Sequence, residues 1–222
     1  MKRSLLYILV LSLVPALGVI GCANPADDKP EAEVGEPVAI EESAAEAPME
    51  EAAAEAPEAA VASTTYNLTS ESKLLWTGSK VTGSHDGGFN TIAGTVSVIG
   101  TDPTTAGISI DIDATSLFSD SDNLTNHLKG ADFFEVDTYP KATFISTSVE
   151  ADGDGYKVTG NLDLHGVTKS ISFPATIAAT AEGVAAQAEF FIKRTDFGIN
   201  YAGKADDLIR DEVVIKFDIK AA

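Results

Sequence analysis

Thiols are almost missing from this chain of 222 residues: Cys22 is its only cysteine, which excludes an internal disulfide and a multi-cysteine metal site. Basic side chains are scarce, 15 Lys and Arg against 34 Asp and Glu, and they form no stripe. Nucleic-acid phosphates and anionic lipid surfaces both require a positive face, so neither is an expected partner. The three histidines, His85, His127 and His165, stand at no ligand spacing from one another, and no metal is expected. A Gly-x-Ser-x-Gly motif is absent, and serine and histidine fall into no recognisable catalytic arrangement. No enzyme activity is therefore expected. Asp152-Gly153-Asp154-Gly155 begins like a calcium loop, but Lys157 and Asp163 occupy the sixth and twelfth positions, where Gly and Glu are needed, and the stretch reads as a hairpin turn. Two sequons, Asn67-Leu68-Thr69 and Asn123-Leu124-Thr125, read as chance matches.

What is present starts at the N-terminus. Lys2 and Arg3 precede an apolar run from Leu5 to Val19, the length of a secretory h-region and too short for a confident membrane span. The run ends in Val19-Ile20-Gly21-Cys22, which resembles the lipobox of bacterial lipoproteins. That resemblance implies removal of residues 1–21 as a signal peptide and lipid attachment at Cys22, with acyl chains such as palmitate. Each buried methylene adds roughly 0.8 kcal/mol, so several chains make a lasting anchor. The expected location is the periplasmic side of a bacterial envelope, on the outer membrane by resemblance, since Ala23 follows the cysteine.

From Ala23 to Thr64 the chain is Ala, Glu and Pro, without an aromatic residue, and carries twelve acidic side chains against Lys29. It contains a nine-residue near-repeat, residues 41–49 and 50–58. Such a composition buries too little apolar surface to offset its ordering entropy, and Pro48 and Pro57 interrupt any helix. Residues 22–64 are expected to form a lipidated, disordered acidic tether with a reach of roughly 35 to 40 Å.

Residues 65–222 form one domain whose period is two. Ile108, Ile110 and Ile112 alternate with Ser109, Asp111 and Asp113; Tyr156, Val158, Leu162 and Leu164 alternate with polar residues; so do Val213, Ile215, Phe217 and Ile219. Further strands are expected at 73–82, 89–99, 142–149, 169–179 and 184–193, about eight in all. Turn signals separate them at Ser84 to Gly88, Asp102-Pro103, Asp152 to Gly155 and Glu182-Gly183. One short helix is expected between Asp120 and Phe134, capped by Ser121 or Asp122, with Leu124, Leu128 and Ala131 on one side. Eight antiparallel strands and one helix predict an all-β barrel, because closure removes edges; a two-sheet sandwich is the alternative.

Three ordered stretches then carry a family resemblance: His127 to Phe144, containing Asp132-Phe133-Phe134 and Thr138-Tyr139-Pro140; Gly160 to Lys169 with Phe173-Pro174; and Phe191 to Ile199 with Asp211-Glu212-Val213. Together they resemble the YceI-like family of polyisoprenoid-binding proteins, and Leu75 to Gly78 with Gly87-Gly88-Phe89 agrees with its first hairpin. The resemblance covers nearly all of Tyr66 to Ala221. It implies an extended, exported, lipocalin-like antiparallel barrel, here of the eight expected strands, that holds a long isoprenoid chain such as a quinone tail or a polyprenyl lipid, with no cofactor and no catalytic residue.

Candidate ligand-binding residues are Trp76, Phe89, Phe133, Phe134, Tyr139, Phe144, Leu162, Leu164, Phe173, Phe190, Phe197 and Phe217. Burying methylenes against such rings needs no directional partner. The rings could equally fill the barrel, which would leave a structural or interaction module of the envelope. Gly160, Ala186 and Ala188 at inward positions point to open space. Arg194 and Asp196 are candidates for contacting a polar head group, or for pairing with Asp207, Arg210 or Asp211 to hold the last strands together. The expected partners are an isoprenoid lipid and, through Cys22, the membrane; a homodimer is left open.

Overall fold

The computed structural model describes residues 23–39 and 62–222. The expected signal peptide, Cys22, and residues 40–61 with the near-repeat lie outside the described residues.

One antiparallel sheet makes the domain. Its strands are β1 (Glu33–Gly35), β2 (Ser63–Asn67), β3 (Lys73–Lys80), β4 (Gly83–Phe89), β5 (Ile92–Ile99), β6 (Gly107–Asp113) and β7 (Leu117–Ser119), then β8 (Lys141–Asp152), β9 (Gly155–Leu164), β10 (Val167–Ala179), β11 (Val184–Lys193), β12 (Gly203–Lys204) and β13 (Asp207–Ala221). Among the described residues there is one α-helix, α1 (Asp122–Lys129), between β7 and β8. The hydrogen-bonded order is β2-β5-β6-β8-β9-β10-β11-β13-β3-β4-β7. At one end the sheet returns on itself: Leu68 bridges Ala221, and Asn67 and Ala222 exchange backbone bonds of 3.2 and 3.0 Å. The sheet is thus a curled barrel, not a two-sheet sandwich.

All eight expected strands are present, as β3, β5, β6, β8, β9, β10, β11 and β13. Alternation places Ile110, Ile112, Val158, Ile171, Phe173, Phe190, Ile192 and Ile219 inside, in one buried cluster. A second cluster, with Trp76, Leu117, Leu128, Phe133 and Ile199, lies beneath α1.

Three expectations need correction. Ser84 to Gly88 is not a turn but most of β4, with the turn at Val81-Thr82. The glycines that suggested a turn accommodate a ring: a Cβ on Gly87 would lie 2.2 Å from Cζ2 of Trp76, its register partner. Ala131 lies beyond α1 and is exposed, and Ser121 occupies the N-cap position without a side-chain capping bond. Residues 23–39, expected within the disordered tether, are ordered on the barrel.

The reason is a short alternating stretch, Glu31-Ala32-Glu33-Val34, between Pro30 and Pro37. β1 pairs antiparallel with β10 (Val34 opposite Ile171), while Glu31 bridges Phe191 of β11 in parallel. The Ala32 amide donates to Phe191 O at 2.9 Å, and the Phe191 amide donates to Pro30 O at 3.0 Å. Ala26 and Ala32 are buried, and Val34 packs against the core. Unpaired strand edges satisfy the backbone of a segment whose composition alone would leave it unfolded.

Candidate functional site

The barrel and α1 line a cavity of about 370 Å³, partly open to solvent, within the roughly 300–1,000 Å³ of small-ligand sites. Two groups of rings line it. Phe144, Phe173, Phe190 and Phe217 project from β8, β10, β11 and β13; Phe173 and Phe190 stack at 4.3 Å, and Phe217 meets Phe173 edge-on at 5.7 Å. Trp76, Phe89, Phe133 and Phe134 line the part beneath α1, where Phe89 and Phe134 meet edge-on at 5.9 Å. Aliphatic side chains such as Ile110, Ile112, Leu162, Leu164 and Ile192 fill the spaces between.

Ten of the twelve candidate apolar residues line this cavity; Tyr139 and Phe197 do not. Tyr139 packs on His165, ring centroids 4.6 Å apart, beside the tight turn His165-Gly166 that joins β9 to β10. Phe197 is fully buried (0 % exposed) in the core, and its carbonyl lies 3.2 Å from Nδ1 of His165. Gly160 does not mark open space: a Cβ there would stand 2.5 Å from Cζ of Phe144, whose ring already occupies the site. Ala186 does line the cavity.

Arg194 and Asp196 are not brought together as a head-group site. Arg194 lines the cavity, yet it is 6 % exposed and its donors are committed. Nε donates to Arg210 O at 3.0 Å, Nη1 to Ile199 O at 2.7 Å, and Nη2 to Asp211 Oδ1 at 3.0 Å. Burial pulls the guanidinium below its ordinary pKa, and Asp211 opposes this. Arg194 therefore clamps the start of β13 to the turn after β11. Asp196 lies instead in a shallow outer depression with Glu31, Lys169 and Lys193.

Sequence reasoning named Trp76 as an apolar lining residue and missed Ser79 and Arg210 as polar members of the cavity. Trp76, Ser79 and Arg210 line it, and each has a buried side-chain atom without a partner: Trp76 Nε1, Ser79 Oγ and Arg210 Nε. Arg210 lies in a register break of β13, between Ile209 and Val213, which alternation cannot reveal. His85 also lines the cavity; its Nδ1 lies 2.9 Å from Asp120, and this contact holds the Asp120 carboxyl below the usual carboxylate range. His127 pairs with Asp132 at 2.9 Å. Among the described residues no three His, Cys, Asp or Glu side chains converge on one point, and no helix is long and apolar enough to cross a membrane.

Comparison with known proteins agrees with this architecture. The YceI-like domain model matches residues 66–221. A UPF0312 protein of Pectobacterium atrosepticum is 35 % identical over 119 residues, covering 51 % of this chain and 62 % of its own length. The YceI protein of Escherichia coli is 34 % identical over 119 residues, with the same coverage of 51 % and 62 %. The chain thus spans less than two thirds of the length of these two relatives. Among solved structures, BcnA of Burkholderia cenocepacia aligns with a TM-score of 0.60 and 27 % identity over 68 % of this chain and 97 % of its own. A polyisoprenoid-binding domain from Saccharophagus degradans aligns at 0.58 with 22 % identity, over 70 % and 97 %, a likeness of fold. With the barrel, its apolar interior and a match over most of the chain in agreement, this protein belongs to the YceI-like family.

Proposed function

We propose that this protein is a lipid-binding protein that holds an isoprenoid chain, as on a quinone or a polyprenyl lipid, for storage, transport or protection. The observation that carries the reading is the cavity itself, predominantly apolar and ringed by aromatic side chains from both buried clusters. A filled barrel acting as a structural module would leave no such space. An apolar chain gains about 0.8 kcal/mol for each methylene moved out of water, with no directional demand. Trp76 Nε1 and Arg210 Nε are donors only, so they suit a head group that carries acceptors, a carbonyl or a phosphate oxygen. The reading is of a binding protein and not a catalyst.

The proposal includes attachment to the periplasmic side of a bacterial membrane, the outer membrane, through an acylated Cys22. Cys22 stands four positions before the buried Ala26, and four residues reach at most about 14 Å. The barrel would then rest at the membrane surface instead of at the end of a long leash.

Organic extraction of protein purified from an isoprenoid-producing bacterium, followed by mass spectrometry, tests the ligand: a co-purifying prenyl lipid is expected, and its absence counts against the reading. The anchor is tested separately by C22S, which should move the protein from the membrane to the soluble fraction.

A further inference from the structure

Residues 30–36 sit where the barrel's own wall is interrupted. β10 and β11 pair only from Thr176 to Ala179, opposite Gln187 to Val184. Continued in that register, Ile171 would face Ile192; instead Val34 pairs with Ile171, and Glu31 bridges Phe191. Ile171 and Ile192 both line the cavity. The strap thus fills the gap between two cavity-lining strands, backing Ile171 and Ile192, and none of its own residues lines the cavity.

Its attachment differs in kind from the rest of that wall. The ladder with β10 has three rungs, and Pro30 and Pro37 prevent its extension. The inward side chains, Ala32 and Val34, are small. Outward, Glu31, Glu33 and Glu36 reach Lys193 at 2.5 Å, Lys157 at 2.6 Å and Lys169 at 3.5 Å, and Lys29 reaches Glu189 at 3.1 Å. Exposed ion pairs are individually weak and screened by salt. Short ladders with little apolar burial are the first parts of a fold to open. The strap also lies outside the matched family domain, which begins at Tyr66.

We propose that residues 30–36 are a removable stave, whose departure opens a lateral slot between β10 and β11 through which an apolar chain enters and leaves the cavity. The inference rests on the reading of the cavity as a lipid site. The slot's edges are apolar where they meet the cavity and carry Lys169 and Lys193 outside, so a long chain can slide in sideways. The strap's glutamates hold the slot shut by occupying those lysines.

A disulfide lock tests this. Glu33 and Ser172 are register partners, and antiparallel partners lie about 4.5 or 5.5 Å apart at Cα, within disulfide range. In the full chain carrying C22S, E33C/S172C would be loaded with a dansyl-labelled farnesyl chain and followed by stopped-flow fluorescence. Oxidation is expected to slow loading and release by about tenfold or more, with reductant restoring both, because locking the strap shuts the lateral route by which the chain exchanges. E31Q/E33Q/E36Q, which keeps the strap's shape without its charges, is expected to exchange the probe about two- to fivefold faster. Equal rates in oxidised and reduced protein, with the bond verified by mass, would overturn the slot and leave the cavity reading intact. Absence of saturable binding in every variant would overturn the cavity reading and the slot with it.

Discussion

The barrel wall and the N-terminal strap follow the same alternating pattern and are held by different forces. β11 and β13 pair over ten rungs, from Val184 opposite Ala221 to Lys193 opposite Glu212, and send rings and branched aliphatics inward. β1 has three rungs, sends Ala32 and Val34 inward, and meets the barrel through exposed lysine–carboxylate pairs. Apolar burial has no charge–charge attraction for salt to screen, whereas surface ion pairs are weakened by screening. Alternation alone therefore identifies a strand but not its permanence; the size of the inward side chains and the length of the ladder decide that.

The sharpest test of this contrast removes a ring from the wall. Phe190 is 3 % exposed and stacked on Phe173. Phe190→Ala should cost about 3–5 kcal/mol in a denaturant titration, through lost transfer energy and the enlarged cavity. A loss below about 1 kcal/mol would mean that the wall does not depend on its rings.

Next in size is Arg194. Arg194→Met keeps the apolar bulk but leaves the carbonyls of Ile199 and Arg210 without their donor. A loss of roughly 3 kcal/mol is expected. Asp211 is half-exposed, and Asp211→Asn should cost less than about 1 kcal/mol. Equal effects would show that the ion pair, and not the clamp on backbone carbonyls, holds the start of β13.

A substitution in the strap should behave differently. Ala32 is 2 % exposed, and Ala32→Asp puts an unpaired carboxylate there. The strap can leave without unfolding the barrel, so the global midpoint should move by less than about 1 kcal/mol. Hydrogen exchange should nevertheless show lost protection at the amides of residue 32 and Phe191, which bond across the strap. Cooperative loss of the whole fold would make the strap part of the wall proper.

The eight long strands were legible because each repeats its alternation over enough residues to separate one face from the other. So were most cavity rings, since inward parity and cavity contact coincide for Phe144, Phe173, Phe190 and Phe217. Phe197 and Tyr139 misled because aromatic type does not distinguish a core plug or a turn support from a cavity wall. Gly160 misled because its empty side is taken by Phe144, a contact across strands. The strap was hidden by composition: a few alternating residues between prolines carry little weight beside so many neighbouring Ala and Glu. Its partners, the exposed edges of β10 and β11, exist only once the barrel has formed.

The smallest expected effect, and the one that separates the two regions by sign, is in pH. Hydrogen bonding to Glu33 and Glu31 holds Lys157 and Lys193 above the ordinary lysine range. A raised folded-state value means that the stabilisation is fully present below the unfolded lysine value of about 10.4 and is lost as pH rises through the folded value. The hairpin corner of the wall has the opposite dependence. Hydrogen bonds from Lys80 and Thr82 hold Asp207 below the usual carboxylate range, so its contribution is present above about pH 4 and is lost as pH falls through the folded value. Alkali should therefore loosen the strap, and acid the corner between β3 and β13. Spin labels at Asp27 and Gln187, both exposed, would report the strap in the C22S chain. Their distance distribution should stay narrow from about pH 6 to 9 and broaden above roughly pH 10.5, while K157Q/K193Q should show no alkaline step. A distribution unchanged at high pH in the C22S chain would mean that backbone pairing alone holds the strap, and that its lysines do not control when the wall opens.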